Sequence, residues 1–142
     1  MEMLRKSVND FTASLASNSS VPGGGSACAL AGALAAALGG MVGEFTVGKK
    51  KYAAVEPILR ELLDEAATLR DRLLDCVEKD AAALAPLAKA YAIPKDDPQR
   101  AETLETCLLA AAALDAKAHA LVDKYARQAE KIYNDVYGRL AR

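Results

Sequence analysis

The sequence has no tryptophan, two phenylalanines and a single histidine, His119. With so few aromatic side chains, the core of this 142-residue chain has to be assembled from Ala, Leu and Val, and Ala and Leu are strong helix formers. One histidine leaves a histidine-based metal site or a Ser-His-Asp triad short of parts. Chemistry then falls to carboxylates, lysines, tyrosines, hydroxyls and backbone groups, with no metal expected. The cysteines Cys28, Cys76 and Cys107 are odd in number and widely spaced, which excludes a disulfide framework, a CxxC redox pair and the common zinc spacings. Each sits in an apolar helical pattern, and all three are expected in the core. A charge excess is missing as well. Lys and Arg number 18 against 19 Asp and Glu, so there is no basic footprint for nucleic acid.

The opening MEMLRKSVNDF has no apolar h-region, so no signal peptide is expected. The longest apolar run, Ala27 to Gly43, falls short of the ~20 residues of a typical membrane span and is mostly Ala and Gly. It predicts a buried helix in a cytoplasmic protein with no membrane partner. No strand-like alternation and no internal repeat occur, so residues 1–142 read as one all-α domain.

Apolar residues recur at helical spacing in four places. Leu4, Val8, Phe11 and Leu15 predict a first helix over 3–16. ASNSSVPGGGS breaks it. A second helix is expected from about Ser26 to Val47. Because it is apolar on every side, it should lie at the centre of a helical bundle. Gly32, Ala36 and Gly40 recur every four residues along it, with Gly39 and Gly43 nearby, and glycine costs about 1 kcal/mol relative to alanine inside a helix; close approach of other backbones, in a tight bundle or at a subunit interface, is the expected reason. Gly48 suits its C-cap. A third helix follows with Val55, Leu59, Leu62, Ala66, Leu69, Leu73 and Cys76, and its stripe resumes at Leu84, Leu87 and Tyr91. AIPKDDPQ ends it, with Asp97 and Pro98 suited to N-cap and N1. The last helix carries Leu104, Leu108, Ala111, Leu121, Tyr125, Ala129, Ile132 and Val136. The last two helices would each span roughly 55–60 Å. A long antiparallel hairpin, buried further by dimerisation, is the expected arrangement.

Three places carry candidate chemistry. Asp80 stands where the stripe calls for an apolar residue, four after Cys76 and four before Leu84. Pro86, six residues on, should kink the helix and free the Ala82 carbonyl. A carboxylate on a core seam is either an acid–base group or a paired residue that specifies packing; register drift would turn it outward. Pro22-Gly23-Gly24-Gly25-Ser26 is the second. It leads into a helix N-terminus, whose free N–H groups suit an anion or polar acceptor; the bland reading is a flexible turn with Ser26 as N-cap. The Walker pattern GxxxxGK[ST] is absent. The third is Lys49-Lys50-Lys51-Tyr52, with Lys95 in a later loop. Such a run is either a solvated helix end or a contact for a carboxylate or phosphate tail. Tyr91 reads as core.

PGGGS before an Ala/Gly helix, then GKKKY, then a carboxylate-bearing long helix and a PK turn, resembles the formiminotetrahydrofolate cyclodeaminase and methenyltetrahydrofolate cyclohydrolase family over about residues 4–112. The resemblance implies an all-helical dimer with folate bound near the subunit interface. It implies cyclisation of 5-formimino-tetrahydrofolate to 5,10-methenyl-tetrahydrofolate with release of ammonia, or hydrolysis of the methenyl compound. No cofactor beyond the folate substrate is implied. The family's catalytic aspartate lies in a DxxA-aromatic stretch, here DAAAL, which points to Asp80. The resemblance also assigns Pro22 to Ser26 to the pterin and its polar neighbours, and the lysines to the glutamate tail of a folate, including polyglutamylated forms. Two departures stand out: Leu84 replaces the usual aromatic, and a family segment with a Ser-Asp turn and another small-residued helix has no counterpart. A non-catalytic folate- or anion-binding module, or a dimerisation module, is the alternative.

Overall fold

The computed structural model describes residues 3–140, with side chains described up to Arg127. A single 3-10 turn, Met3–Arg5, precedes α1, Val8–Leu15. The break between them comes from Ser7, whose Oγ accepts the Asp10 N–H at 3.1 Å and starts a new helix there. The expected first helix over 3–16 is therefore two pieces, because a capping serine offers the backbone an alternative to continuation.

α2 spans Gly24–Glu44 and α3 spans Glu56–Tyr91. They run antiparallel. Gly25 lies against Asp80 near one end, and Gly43 against Leu63 near the other. Between them, Thr46 and Val47 turn back on the Gly43 carbonyl, and Gly48 takes φ +77°, a conformation that favours glycine. A second 3-10 turn, Lys50–Val55, leads into α3. Glu56 secures this corner: it accepts the Gly48 N–H at 3.3 Å and Arg60 at 2.7 Å. The Arg60 hydrogen bond holds its carboxyl below the usual carboxylate range, with the Gly48 N–H adding to that.

α3 continues through Pro86 to Tyr91 without interruption. Both Pro86 and Ala82 are exposed, so the carbonyl freed by the missing N–H can be met by water. α4, Arg100–Leu140, begins two residues later than Asp97 and Pro98 suggested. Asp97 instead accepts the Gln99 N–H at 2.8 Å and closes a turn ahead of the helix. α4 returns along α3: residues 64–72 and 121–125 line one groove between them. Tyr125 reaches across from α4, and its hydroxyl lies where a Cβ on Gly39 would be. Gly32, Gly39 and Gly43 are closely approached, by Leu73 and Val122, by Tyr125 and by Leu63 respectively, whereas Gly40 has open space around it; the neighbours are side chains and not the backbones expected. Burial raises the Tyr125 phenol above its ordinary range. Ala129, Ile132 and Val136, expected on the same stripe, lie outside the described side chains.

The core is a seam between α2 and α3. Ser26, Ala29, Ala33 and Ala36 from α2 meet Leu73, Val77 and Asp80 from α3, and Phe11 of α1 packs with Ala29 and Val77. Small residues on α2 let the two axes come close, and Leu73 and Val77 are almost wholly buried there.

Three expectations fail here. α2 does not lie at the centre of this chain: Leu34, Leu38, Met41, Val42 and Phe45 are 49–66% exposed. Helices cover only its small-residue side, so an all-apolar surface has only half its partners. By length and composition α2 also qualifies as a membrane-crossing helix, although its alanine face is packed on α3. Tyr91 is 57% exposed at the end of α3, not core. Of the cysteines, Cys28 is exposed and Cys76 and Cys107 are half-buried; Cys28 sits on the open side of α2.

Candidate active site

α2 begins with a glycine at its N-cap, Gly23, which has no side chain to accept the free N–H groups of the first turn. The acceptor comes from α3 instead. Asp80 Oδ2 takes the Ser26 N–H at 2.7 Å and the Ser26 Oγ–H at 2.6 Å. Ser26 Oγ also lies 3.2 Å from the Val77 carbonyl. A carboxylate at a helix N-terminus faces the positive end of the helix dipole. Charged hydrogen bonds of this kind are worth about 1.5–3 kcal/mol each. They explain how an almost buried carboxylate, 7% exposed, is tolerated on an apolar seam.

The geometry gives each glycine of the elbow a distinct part. A Cβ on Gly25 would overlap the Asp80 carboxylate, and one on Gly23 would overlap Leu84 Cδ1. Gly24 has nothing within 4 Å of where its Cβ would sit, and is exposed. Two glycines therefore let α3 close on the helix end, while the third leaves backbone open to solvent. Pro22, preceding them, is buried, and the Val21–Pro22 peptide is cis. Both hydrogen bonds on Asp80 fall on Oδ2; Oδ1 lies over Gly25. Lys79, the neighbouring cation, is turned to Asp75, whose carboxylate raises its ammonium above the ordinary lysine range.

Asp80, Pro22, Gly23, Gly24, Gly25 and Ser26 thus come together at one end of the α2–α3 pair. Lys49, Lys50, Lys51 and Tyr52 do not join them. These residues follow the other end of α2, about 30 Å away along a 21-residue helix. The three lysines are exposed, with Lys51 Nζ 5.3 Å from the Tyr52 ring centre. Lys95 is exposed in the turn after α3. It lies at the same end as the elbow but beyond the eleven residues from Asp80 to Tyr91, about 17 Å of helix. Among the described residues no three His, Cys, Asp or Glu converge as a metal-ligand set. Two participants escaped the sequence reading: the Ser26 hydroxyl as the partner of Asp80, and Leu84 as the side chain over Gly23. The first had a signal. Ser26 shares the spacing of Ala29, Ala33 and Ala36 and so faces inward.

Fold and site together define an all-α domain in which one inward carboxylate is held on a glycine-opened helix N-terminus. The sequence pattern of the formiminotransferase-cyclodeaminase family matches residues 7–138. The chain belongs to that family. It is 40% identical over 91 residues to methenyltetrahydrofolate cyclohydrolase of Methylorubrum extorquens, covering 64% of this chain and 44% of that one. Formimidoyltransferase-cyclodeaminase of Rattus norvegicus is 33% identical over 107 residues, covering 75% of this chain and 20% of the relative. The solved structure of formiminotetrahydrofolate cyclodeaminase from Thermotoga maritima superposes with a TM-score of 0.78 at 31% identity, over 92% of this chain and 63% of that one. The chain therefore spans less than two thirds of each of these relatives.

Proposed function

We propose that this chain is a folate one-carbon enzyme whose reaction is centred on Asp80. The substrate read for it is 5-formimino-tetrahydrofolate, cyclised to 5,10-methenyl-tetrahydrofolate, or the methenyl compound, opened by water. The observation that carries this reading is the buried Asp80 carboxylate, anchored through Oδ2 by Ser26 with Oδ1 beside the glycine elbow. The relatives' names supply the substrate class.

In the cyclisation, folate N10 attacks the carbon of the protonated formimino group, so a C–N bond forms, the C=NH2+ double bond becomes a single bond to an amino group, and N10 gives up its proton. The amino group on that carbon then takes a proton and leaves as ammonia when its C–N bond breaks, giving the methenyl cation. Asp80 Oδ1 suits the role of accepting the first proton and returning it to the leaving nitrogen. The Ser26 bonds hold the carboxylate in one orientation throughout. The open backbone at Gly24 suits close contact with the pterin or its polar groups, and holding N10 beside the carbon is a large part of the rate gain.

The same reading takes the protein as a cytoplasmic homodimer that engages neither nucleic acid nor membrane and uses no cofactor beyond the folate. A second reading, a folate-binding module without turnover, draws on Leu84, which lies against Gly23 where the resemblance calls for an aromatic. Titration with a reduced folate, followed by absorbance of the methenyl chromophore, separates the two. Turnover that disappears in Asp80→Asn supports the enzyme. Binding without turnover supports the module, and no binding refutes both.

A further inference from the structure

A groove of about 250 Å³ runs between α3 and α4. Register sets the order of the groups along it. Leu73 and Val122 both close on Gly32, whereas Leu63 closes on Gly43. Arg72 and Lys124, each within a helical turn of the first level, therefore stand at one end of the groove, and Asp64 stands beside Glu65 at the other. Asp64 and Arg72 are eight residues apart on α3, about 12 Å. The hydroxyls of Thr68 and Tyr125 lie midway: Thr68 is four residues from either charge, and the Tyr125 hydroxyl reaches Gly39, between the two levels. Leu69 and Leu121 add an apolar lining. Arg72, the end nearer the elbow, is itself eight residues from Asp80, again about 12 Å along α3.

The polar groups of the groove are uncommitted. Elsewhere on α3, Arg60, Arg70 and Lys79 pair with Glu56, Asp71 and Asp75. Asp64, Arg72 and Lys124 have no ion-pair or hydrogen-bond partner among the described residues. Thr12, Thr46, Thr103 and Thr106 each turn their hydroxyl onto the carbonyl four residues back. Thr68 alone among the threonines does not, which leaves its hydroxyl to the groove. The Tyr125 phenol is also without a partner among the described residues, and burial keeps it protonated. We propose that this groove binds a small zwitterion of tripeptide length. Its ammonium meets Asp64, its carboxylate meets Arg72 and Lys124, and its amides meet the Thr68 and Tyr125 hydroxyls. An extended chain covers about 3.3–3.6 Å per residue, so about three residues match the distance between the charged ends. The planar guanidinium of Arg72 suits a carboxylate, and Leu69 and Leu121 suit small apolar side chains. Asp64, Arg72 and Lys124 are exposed, so each end contributes modestly. Dissociation constants on the order of 1 mM are expected in low salt, rising as salt screens the ends. Nothing in this assignment depends on the function proposed for Asp80.

Calorimetry of the full chain in low-salt buffer tests it with three probes: trialanine, N-acetyl-trialanine, which lacks the ammonium, and trialanine amide, which lacks the carboxylate. Trialanine should bind, and each blocked form should bind about three- to fivefold more weakly. Asp64→Asn should weaken trialanine and its amide by a similar factor and leave the acetylated form unchanged. Arg72→Gln should weaken trialanine and the acetylated form and leave the amide unchanged. Both positions are exposed, so circular dichroism should show the fold intact in each variant. Thr68→Val keeps the side-chain shape and should weaken all three probes. The assignment is overturned if trialanine does not bind, if the three probes bind alike, or if the two charge variants lose affinity for every probe equally. Unchanged binding in Thr68→Val would place the peptide outside the groove. Trialanine should bind Asp80→Asn as it binds the wild type; affinity lost there would move the ligand to the elbow and overturn a separate site.

Discussion

Gly24 and Gly25 are adjacent, share a helix and are chemically identical, yet the structure assigns opposite outcomes to the same substitution. Alanine at position 25 places a Cβ 2.9 Å from Asp80 Cγ and closer still to Oδ1. Neither neighbour can withdraw cheaply, because Asp80 is nearly buried and tied to Ser26. Moving the carboxylate strains two charged hydrogen bonds, worth about 1.5–3 kcal/mol each. The gain from replacing glycine with alanine in a helix is only about 0.5–1 kcal/mol. The net expectation for Gly25→Ala is a loss of roughly 1–3 kcal/mol, or about 4–12 °C in Tm for a chain of this size. At Gly24 nothing lies within 4 Å, so Gly24→Ala should raise stability by about 0.5 kcal/mol. Thermal unfolding by circular dichroism reads both. If Gly25→Ala melts at or above Gly24→Ala, the carboxylate does not sit on the helix end as described, and the site loses its anchor.

Ser26→Ala removes the hydroxyl that Asp80 Oδ2 accepts while keeping the backbone N–H; denaturant unfolding should report a loss of about 1–3 kcal/mol. Asp80→Asn should fold, and under the proposed mechanism it should lower turnover by roughly 10²–10⁴, measured by methenyl absorbance; turnover near wild type would remove Asp80 from the chemistry. Gly24→Val should weaken reduced-folate binding without unfolding the protein, and unchanged affinity in calorimetry would dissociate the elbow from the ligand. Burial raises the Tyr125 phenol, so its contribution to stability is complete below the ordinary tyrosine value near 10. Above that value the unfolded chain loses the proton first, and stability falls as pH climbs toward the raised folded value. Tyr125→Phe should therefore shed part of the alkaline loss between about pH 9 and 11, and parallel melts of both proteins over that range check it.

The helical class, the break at PGGGS, the long third helix and the singular position of Asp80 were all legible in the sequence. Each is a local signal: spacing of three and four residues, breakers between stripes, one charge out of pattern. Helix limits were less legible. Ser7 and Asp97 offered capping bonds that compete with continuation of the helix over one turn. Apolar periodicity located faces but not what covers them, which is why α2 was expected at the centre and Tyr91 inside.

What only the tertiary structure decided is which distant residues meet. Ser26 and Asp80 lie 54 positions apart, and no local pattern encodes that pairing. It follows from the register in which α2 lies along α3, set by small residues on one helix receiving Leu73 and Val77 from the other. That register brings the carboxylate to the elbow and carries the lysines to the far end of the pair. Local order comes from propensity and spacing along the chain, whereas a site comes from packing across it, where one turn of slip would separate the same residues by about 5 Å.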